Sequence, residues 1–192
     1  MAPDPDGFPL PAVIENLMRV SLREAQGAAT AGEVPAGAVV ADREGAIVSR
    51  ARNRVIALQD PTAHAEILAI REAARLVGNY RLNGLILVST LEPCPMCLAA
   101  ILHARLDGLA YGAREPKWGA LGSLLDLSAL PGLNHRLRYL QGGVLAGEAQ
   151  AQIRDFFRER RKPSRLQGEP PEAPAPPGAP APSRGPAPAP FP

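Results

Sequence analysis

Apolar residues recur along most of the chain at two spacings, which predict helices and strands in alternation. In residues 11–29, Ile14 and Leu22 fall with other apolar side chains on one face of a helix. Residues 35–53 indicate two short strands joined by a turn, and the apolar run 84–90 is typical of a central strand covered on both faces. The other predicted elements are helices at about 63–77, 95–105 and 147–162 and strands at 107–113 and near 137–140.

The two ends of the chain differ from this patterned body. Residues 163–192 contain 12 prolines in 30 positions, and such a segment buries too little apolar surface to offset the entropy of ordering. We therefore expect a disordered tail. Residues 1–10 carry acidic residues and prolines where a signal peptide would have a basic and then an apolar region, and we expect a flexible N-terminus. The domain is predicted over residues 11–162, as a three-layer α/β/α sandwich around a mixed five-stranded sheet.

Composition narrows the function only a little. Hydrophobic residues make up 46% of the chain against 21% charged, which indicates a globular body, and the net charge of +2 is too small to indicate nucleic-acid binding by itself. No segment reaches the ~20 apolar residues of a membrane-spanning helix, so we expect no membrane partner and a cytoplasmic location. The two cysteines, Cys94 and Cys97, form one Cys-x-x-Cys motif. This motif is not typical of a disulfide framework. It is compatible with a redox pair, with part of a zinc site or with two buried thiols.

Four residues at the predicted starts of two helices suit a catalytic zinc site. Such a site takes three N or S ligands and leaves a fourth position for water, and His64, Cys94 and Cys97 supply that number. The cysteines are three residues apart, which brings them together at a helix start, where the dipole favours thiolate. Glu66 and His64 reach one pocket only if both occupy the entry to their helix, and Glu66 then suits a general acid/base. With Pro93, these residues match the His-x-Glu … Pro-Cys-x-x-Cys signature of zinc deaminases that act on nucleobases.

Other chemistry at these residues stays open. A closed structural site would need a fourth ligand: His103 lies about 9 Å beyond Cys97 along the same helix and is a poor candidate, whereas the sequence does not exclude His135. A redox role for the cysteines leaves His64 and Glu66 unexplained. Ligand type favours Zn²⁺, although iron occupies similar sites.

Further segments carry a resemblance to a known family. They are GEVPAGAVV, DPTAHAEILAIREAA, NYRL, TLEPCPMCLAAILHARL, YGAREPKWGALGSLLDL, NHR and DFFRERR. In their order and spacing, from about Pro11 to Lys162, the chain resembles the bacterial tRNA-specific adenosine deaminases of the cytidine/deoxycytidylate deaminase superfamily. The zinc motif is shared with cytidine and guanine deaminases, whereas GAREPKWGALGS and DFFRERR favour the tRNA enzymes.

The resemblance implies a fold, a reaction and an assembly. It implies a cytidine-deaminase-like catalytic domain with one Zn²⁺ per subunit, held by His64, Cys94 and Cys97, with Glu66 as the general acid/base. The reaction implied is hydrolytic conversion of adenosine to inosine at the wobble position of a tRNA anticodon. It also implies a homodimer in which the partner subunit helps to line the RNA site.

Substrate contacts follow in part from the same resemblance. Asn53 in RARNR would hydrogen-bond the flipped base, and the backbone N–H of Ala65 would help to orient it. The basic RDFFRERRK segment suits phosphates through its arginines, while its two phenylalanines suit either the core or stacking on unpaired bases. The further residues predicted to contact the substrate are Glu115, Lys117, Asn134, His135, Arg136, Phe157, Arg158 and Arg160.

The predicted substrate loop departs from the family at two positions. Family members usually have Asp where this chain has Glu115, and a small residue where it has Trp118. The longer acid can still accept a hydrogen bond from a ribose hydroxyl, and Trp118 can stack on RNA or cover a dimer surface. A loop-stabilising role for Asn134, His135 and Arg136 is an alternative to contact with the anticodon loop.

Two other functions stay open at this stage. One is deamination of a free base or nucleoside of the guanine or cytosine type, because the zinc motif is common to those enzymes. The other is a zinc-stabilised RNA-binding module without catalysis, which would have a four-ligand site and no need of Glu66.

Overall fold

The computed structural model describes Pro9 and residues 11–161. The predicted N-terminal segment, Pro9 apart, and the predicted proline-rich tail lie outside these residues. Among the described residues, no helix combines the length and apolar character required to cross a lipid bilayer. The elements are α1 Pro11–Thr30, β1 Gly37–Ala41, β2 Ile47–Arg52, α2 Val55–Leu58, α3 Ala65–Val77, β3 Ile86–Leu91, α4 Pro95–His103, β4 Gly108–Ala113, β5 Tyr139–Gln141 and α5 Ala146–Arg160.

The strands form one mixed sheet in the order β2-β1-β3-β4-β5. Strand β1 is antiparallel to both β2 and β3, with Ala38 opposite Ser89 across the β1–β3 pair. Strands β3, β4 and β5 are parallel, with Val88 opposite Ala110. The predicted mixed five-stranded sheet is therefore confirmed.

Alternate side chains of the central strands enter two separate cores. Val39 and Val88 pack with the apolar face of α1 and with α5 on one side of the sheet. Their sequence neighbours Val40 and Leu87 point to the other side, where they pack with α3 and α4. Because side chains alternate along a strand, one sheet divides the helices into two outer layers. This arrangement is the predicted three-layer sandwich.

One short helix, α2, is absent from the elements that the sequence pattern predicts. Its N-cap, Arg54, makes no side-chain capping bond. Instead, Oε1 of Glu33 accepts hydrogen bonds from the backbone N–H groups of Ile56 and Ala57, at 2.9 and 2.8 Å. The capping group is thus more than twenty residues away in the chain, where a local pattern cannot reveal it.

Gly37 lies where α1 packs closely on β1, so we expect a larger residue at this position to destabilise the fold. A Cβ at this position would lie 2.0 Å from the backbone O of Ser21 and 2.7 Å from the backbone N of Ala25. We expect G37A to lower the free energy of unfolding in urea by about 2–3 kcal/mol, because α1 must shift to admit the methyl group.

The matched control is G147A, in α5, where an added Cβ meets nothing within 4 Å. It should leave stability unchanged or raise it by up to about 1 kcal/mol. Equal unfolding curves for the two variants would contradict this account of the α1–β1 contact.

Candidate active site

The three predicted ligands meet where two helices begin. His64 is the N-cap of α3 and Cys94 the N-cap of α4, both with extended backbone, and Cys97 lies in the first turn of α4. Nδ1 of His64 is 3.5 Å from Sγ of Cys97 and 3.8 Å from Sγ of Cys94, and all three ligand atoms lie within 4.8 Å of one another. Tetrahedral zinc with N at about 2.0–2.1 Å and S at about 2.3 Å requires N···S separations of about 3.6 Å. The donor set and its spacing fit Zn²⁺.

Backbone hydrogen bonds hold the segment after β2 beside the residues that precede α3. The N–H of Arg54 donates to the carbonyl of Ala63 at 3.0 Å, which holds the residue before His64 beside the segment that follows β2. The N–H of Asn53 donates to the carbonyl of Ala36 at 3.0 Å. Asn53 therefore lies next to the segment that leads into α3.

The other two histidines lie at the opposite end of α4. His103 is the last residue of that nine-residue helix, about 12 Å from its first residue at 1.5 Å per residue. Nε2 of His135 lies 2.7 Å from the carbonyl O of Leu106, just beyond the same end. Among residues 11–161, no fourth His, Cys, Asp or Glu joins the cluster. Three ligands with an open fourth position are the arrangement of catalytic rather than structural zinc.

The two sulfurs of the cluster are electrostatically coupled. A hydrogen bond from Cys97, aided by His64, lowers the pKa of Cys94 to about 4 although its burial opposes the shift. The same bond and burial raise the pKa of Cys97. The hydrogen bond to Cys94 likewise raises the pKa of His64. A bound dication adds positive charge that favours the thiolate at both sulfurs.

Glu66 is a buried carboxyl group beside these ligands. It occupies the first turn of α3 and is only 6% exposed. Burial raises its pKa, and this effect outweighs the opposing effects of its own backbone N–H and of His64. A carboxyl group whose pKa is raised above its ordinary value is better able to return a proton that it has accepted, which is what general acid/base catalysis requires.

The two residues predicted to hold the base are both buried. Asn53 is 7% exposed, and its Nδ2 lies 3.5 Å from Oε2 of Glu33. Ala65 is the buried first residue of α3, so its N–H has no carbonyl partner one turn back within the helix.

Glu92 is a residue of the site that the sequence analysis did not identify. Its carboxylate is 2% exposed and accepts hydrogen bonds from the N–H groups of Glu115, Leu121 and Ser123, at 3.2, 2.9 and 3.1 Å. The hydroxyl of Ser123 donates a further bond to it. The signal in the sequence is a charged residue directly after a buried strand. Glu92 thus ties the predicted substrate loop to the strand that leads to Cys94.

The predicted loop residues lie on this anchored segment. The N–H of Ala120 donates to the carbonyl of Pro93 at 2.9 Å, which places the loop against the start of α4. Oε1 of Glu115 accepts the N–H of Lys117 at 3.0 Å, so this carboxylate stabilises the turn of its own loop. Lys117 is exposed, and Trp118 is 66% exposed.

Asn134 and Arg136 lie away from the ligands within the same chain. The carbonyl of Asn134 accepts a hydrogen bond from Nη1 of Arg105 at 2.6 Å, beyond the last turn of α4. Arg136 is exposed and makes long bonds to the carbonyls of Ser128 and Leu130, at 3.4 and 3.3 Å. Together with His135, these residues stabilise the loop that returns along α4.

The two phenylalanines of α5 differ in environment. Phe156 is buried at 9% exposure, with the guanidinium of Arg160 over its ring at 5.1 Å, whereas Phe157 is 43% exposed. Arg158 is also exposed and pairs with Asp155 at 3.0 Å. Phe156 is therefore a core residue, and Phe157 is the aromatic side chain of this pair that solvent can reach.

Known proteins resemble this chain over the same residues. Residues 11–113 match the family model described as cytidine and deoxycytidylate deaminase zinc-binding region. The tRNA-specific adenosine deaminase of Haemophilus influenzae is 42% identical over 153 residues, which are 80% of this chain and 88% of that protein. The tRNA(Ile)-lysidine synthase of Deinococcus radiodurans is 47% identical over 158 residues, but the match spans only 26% of that protein.

A solved structure is similar in both fold and sequence. It comes from a study of A-to-I editing by tRNA:A34 deaminases at the wobble position of transfer RNA. The match has a TM-score of 0.68 and 41% identity, and it covers 71% of this chain and 98% of that chain. This likeness confirms the predicted fold.

The contacts of Glu92 predict a stability change with a defined pH dependence. E92Q replaces one acceptor oxygen by an NH₂ group that faces N–H donors, and we expect it to lower the free energy of unfolding at pH 7 by about 2 kcal/mol. Burial raises the pKa of Glu92, but the hydrogen bonds from Ser123, Leu121 and Glu115 lower it by more than burial raises it. The pKa therefore lies below its ordinary value of 4.5. The stabilisation is thus present above pH 4.5 and lost as the pH falls through the lowered pKa.

Urea unfolding at several pH values measures this difference. The gap between wild type and E92Q should be constant from pH 5 to pH 7 and should shrink below pH 4.5. The control is D126N, an exposed carboxylate in the same loop that bonds only to Ser128 and Ala129, with an expected change within about 0.5 kcal/mol. A gap that widens in acid would contradict the role given to Glu92.

Proposed function

Since the chain belongs to the cytidine and deoxycytidylate deaminase family, we propose that it is a zinc-dependent enzyme that converts adenosine to inosine at the wobble position of tRNA anticodons. The observation that carries this proposal is the convergence of three ligand atoms, from His64, Cys94 and Cys97, beside a buried carboxyl group, Glu66. Three ligands and an acid/base group are the parts that hydrolytic deamination of a nucleobase needs.

The choice of tRNA as substrate is supported by likeness along the whole domain. The Haemophilus influenzae tRNA-specific adenosine deaminase matches 80% of this chain, well beyond the zinc motif that all deaminases of the family share. A tRNA substrate also supports the cytoplasmic location that we propose.

The chemistry divides between the metal and the side chains around it. When bound, zinc supplies the Lewis acidity that makes water a nucleophile at neutral pH. The Glu66 carboxylate accepts a proton from the attacking water and delivers it to N1 of adenine as C6 becomes tetrahedral. The proton of the hydroxyl group added at C6 then passes through Glu66 to the exocyclic nitrogen. The C6–N bond breaks, ammonia leaves, and the C6 carbonyl of inosine forms. Asn53 and the N–H of Ala65 hold the base in place during both transfers.

We assign the RNA contacts to residues that the structure leaves accessible. A base extruded from the anticodon loop leaves phosphates and neighbouring bases at the protein surface, where cations and aromatic rings bind them. Lys117 and the arginines of α5 suit the phosphates, Phe157 suits stacking, and Glu115 keeps an oxygen for a ribose hydroxyl. The assigned residues are Glu115, Lys117, Asn134, His135, Arg136, Phe157, Arg158 and Arg160.

An anticodon stem-loop with adenosine at the wobble position tests the proposed reaction. The zinc-loaded chain should convert that adenosine to inosine, measured by nucleoside analysis of the digested RNA. E66Q should lower turnover by about 10³-fold or more, because it cannot carry the proton, while zinc content stays at about one per chain. The control is E72Q, on the solvent side of the same helix, which should leave turnover unchanged.

Other outcomes would select the alternative functions. Reaction with free guanine or cytidine, without reaction of the stem-loop, would identify a deaminase of free bases or nucleosides. Full RNA binding by E66Q without any turnover by the wild type would identify a zinc-stabilised binding module.

We also propose that the chain acts as a homodimer. Exposed apolar side chains lie on the connection between β4 and β5, including Leu124 and Leu130 at 54% and 46% exposure. A cavity of about 240 Å³ in the same region is lined by Leu102, Leu127 and Leu133 among others. An apolar surface of this kind on a domain of this size supports contact with another protein surface. A second subunit there would also bring its own Asn134–Arg136 segment towards bound RNA.

Sedimentation velocity tests the dimer. The mass obtained for the wild type should be twice the chain mass of 20.2 kDa. L130E should shift the population towards the monomer without changing the circular dichroism spectrum. The control is L140E on the edge strand β5, since Leu140 is also 46% exposed. A monomeric wild type at micromolar concentration would refute the proposal.

A further inference from the structure

Glu33 is a buried carboxyl group for which the reaction above has no use. It follows the last turn of α1 and is 2% exposed. No Lys, Arg or His forms an ion pair with it within residues 11–161. Its hydrogen-bond partners are three N–H donors, two from the start of α2 and one from the side chain of Asn53. Both sets of donors belong to the segment that leads into the active site.

The two oxygens of Glu33 have different partners. Oε1 accepts the N–H groups of Ile56 and Ala57, at 2.9 and 2.8 Å. Oε2 faces Nδ2 of Asn53 at 3.5 Å. Capping of α2 and contact with Asn53 are therefore separate tasks of one side chain.

The contact with Glu33 determines which way the Asn53 amide faces. An ionised carboxylate only accepts hydrogen bonds, so it pairs with Nδ2 and repels Oδ1. With Nδ2 turned to Glu33, the amide presents its Oδ1 acceptor on the other side. That oxygen can accept a hydrogen bond from a donor group of the base.

We propose that Glu33 is a positioning residue that fixes the amide orientation of Asn53 and thereby determines which amide atom faces the base. The proposal rests on the proposed function, because it takes Asn53 to contact the base. The proposal also explains the short helix α2. The N–H groups at the start of this helix bind Oε1 of Glu33 and so hold the carboxylate in place.

A double-mutant cycle tests the coupling. In E33Q the stronger bonds to α2 keep the amide oxygen on that side, so an NH₂ group faces Asn53 and the Asn53 amide turns over. We expect E33Q and N53A each to lower kcat/KM for the adenosine stem-loop about tenfold. Because Glu33 acts through Asn53, E33Q/N53A should be no slower than N53A alone.

The control is D107N. Asp107 is a buried carboxylate directly before β4 that pairs with Arg43 and Arg138. D107N should change kcat/KM by the same factor in the wild-type and N53A backgrounds. A double variant E33Q/N53A that loses the product of the two single factors, about 100-fold, would overturn the proposal, as would full activity of E33Q.

A second pair of variants keeps the test valid if E33Q folds poorly. N53D places two carboxylates side by side and should lower the melting temperature, whereas E33Q/N53D restores a donor opposite an acceptor and should recover part of that loss. No recovery would overturn the proposal. This measurement needs no substrate, so it separates failure of the positioning role from failure of the proposed tRNA activity.

Discussion

Helices α3 and α4 begin at the same point beside the sheet, and their first turns supply all three ligand atoms. A helix start has free backbone N–H groups and a positive dipole end, which stabilise thiolates and a carboxylate in a buried place. It is also where a side chain two positions from another can still reach the same pocket, as Glu66 and His64 do. Both helices pack on one face of a rigid sheet, so the separation of the ligand atoms is set before any metal binds.

Three buried glutamates show how environment divides similar groups between different tasks. Glu92 accepts bonds from several N–H and O–H donors, which lower its pKa and keep it charged as a structural anchor. Glu33 likewise has N–H donors at both oxygens. Burial dominates at Glu66 and raises its pKa, so this carboxyl is the one suited to move protons. Hydrogen-bond supply, rather than burial alone, distinguishes the anchor from the acid/base.

The sequence predicts much of this structure because its main signals are local. Helical spacing around Ile14 and Leu22 and the apolar run that becomes β3 mark their elements without reference to distant residues. The ligand set is also local, since each ligand lies at a predicted helix start. Helix α2 could not be predicted, because Glu33 caps it from more than twenty residues away.

The same limit applies to contacts that depend on tertiary packing. The composition of RDFFRERRK does not show that Phe156 is buried and Phe157 exposed, since neighbouring residues in a helix differ by about 100° in direction. Neither does the NHR motif show that Asn134 lies at the far end of α4. Glu92 has a visible signal, a charge directly after a buried strand, but its donors come from a loop whose path only the fold determines.

The ligand residues and the residues predicted to recognise RNA are held by different means. The ligands and Glu66 belong to helices packed on the sheet, so a change there would disturb the core. Glu115 and Trp118 belong to a loop held mainly by Glu92 and by the Ala120–Pro93 bond. Substitution at those two positions would alter the surface predicted to face RNA, while the anchor keeps the loop against α4. Recognition can therefore vary in this fold without displacing the groups that perform the reaction.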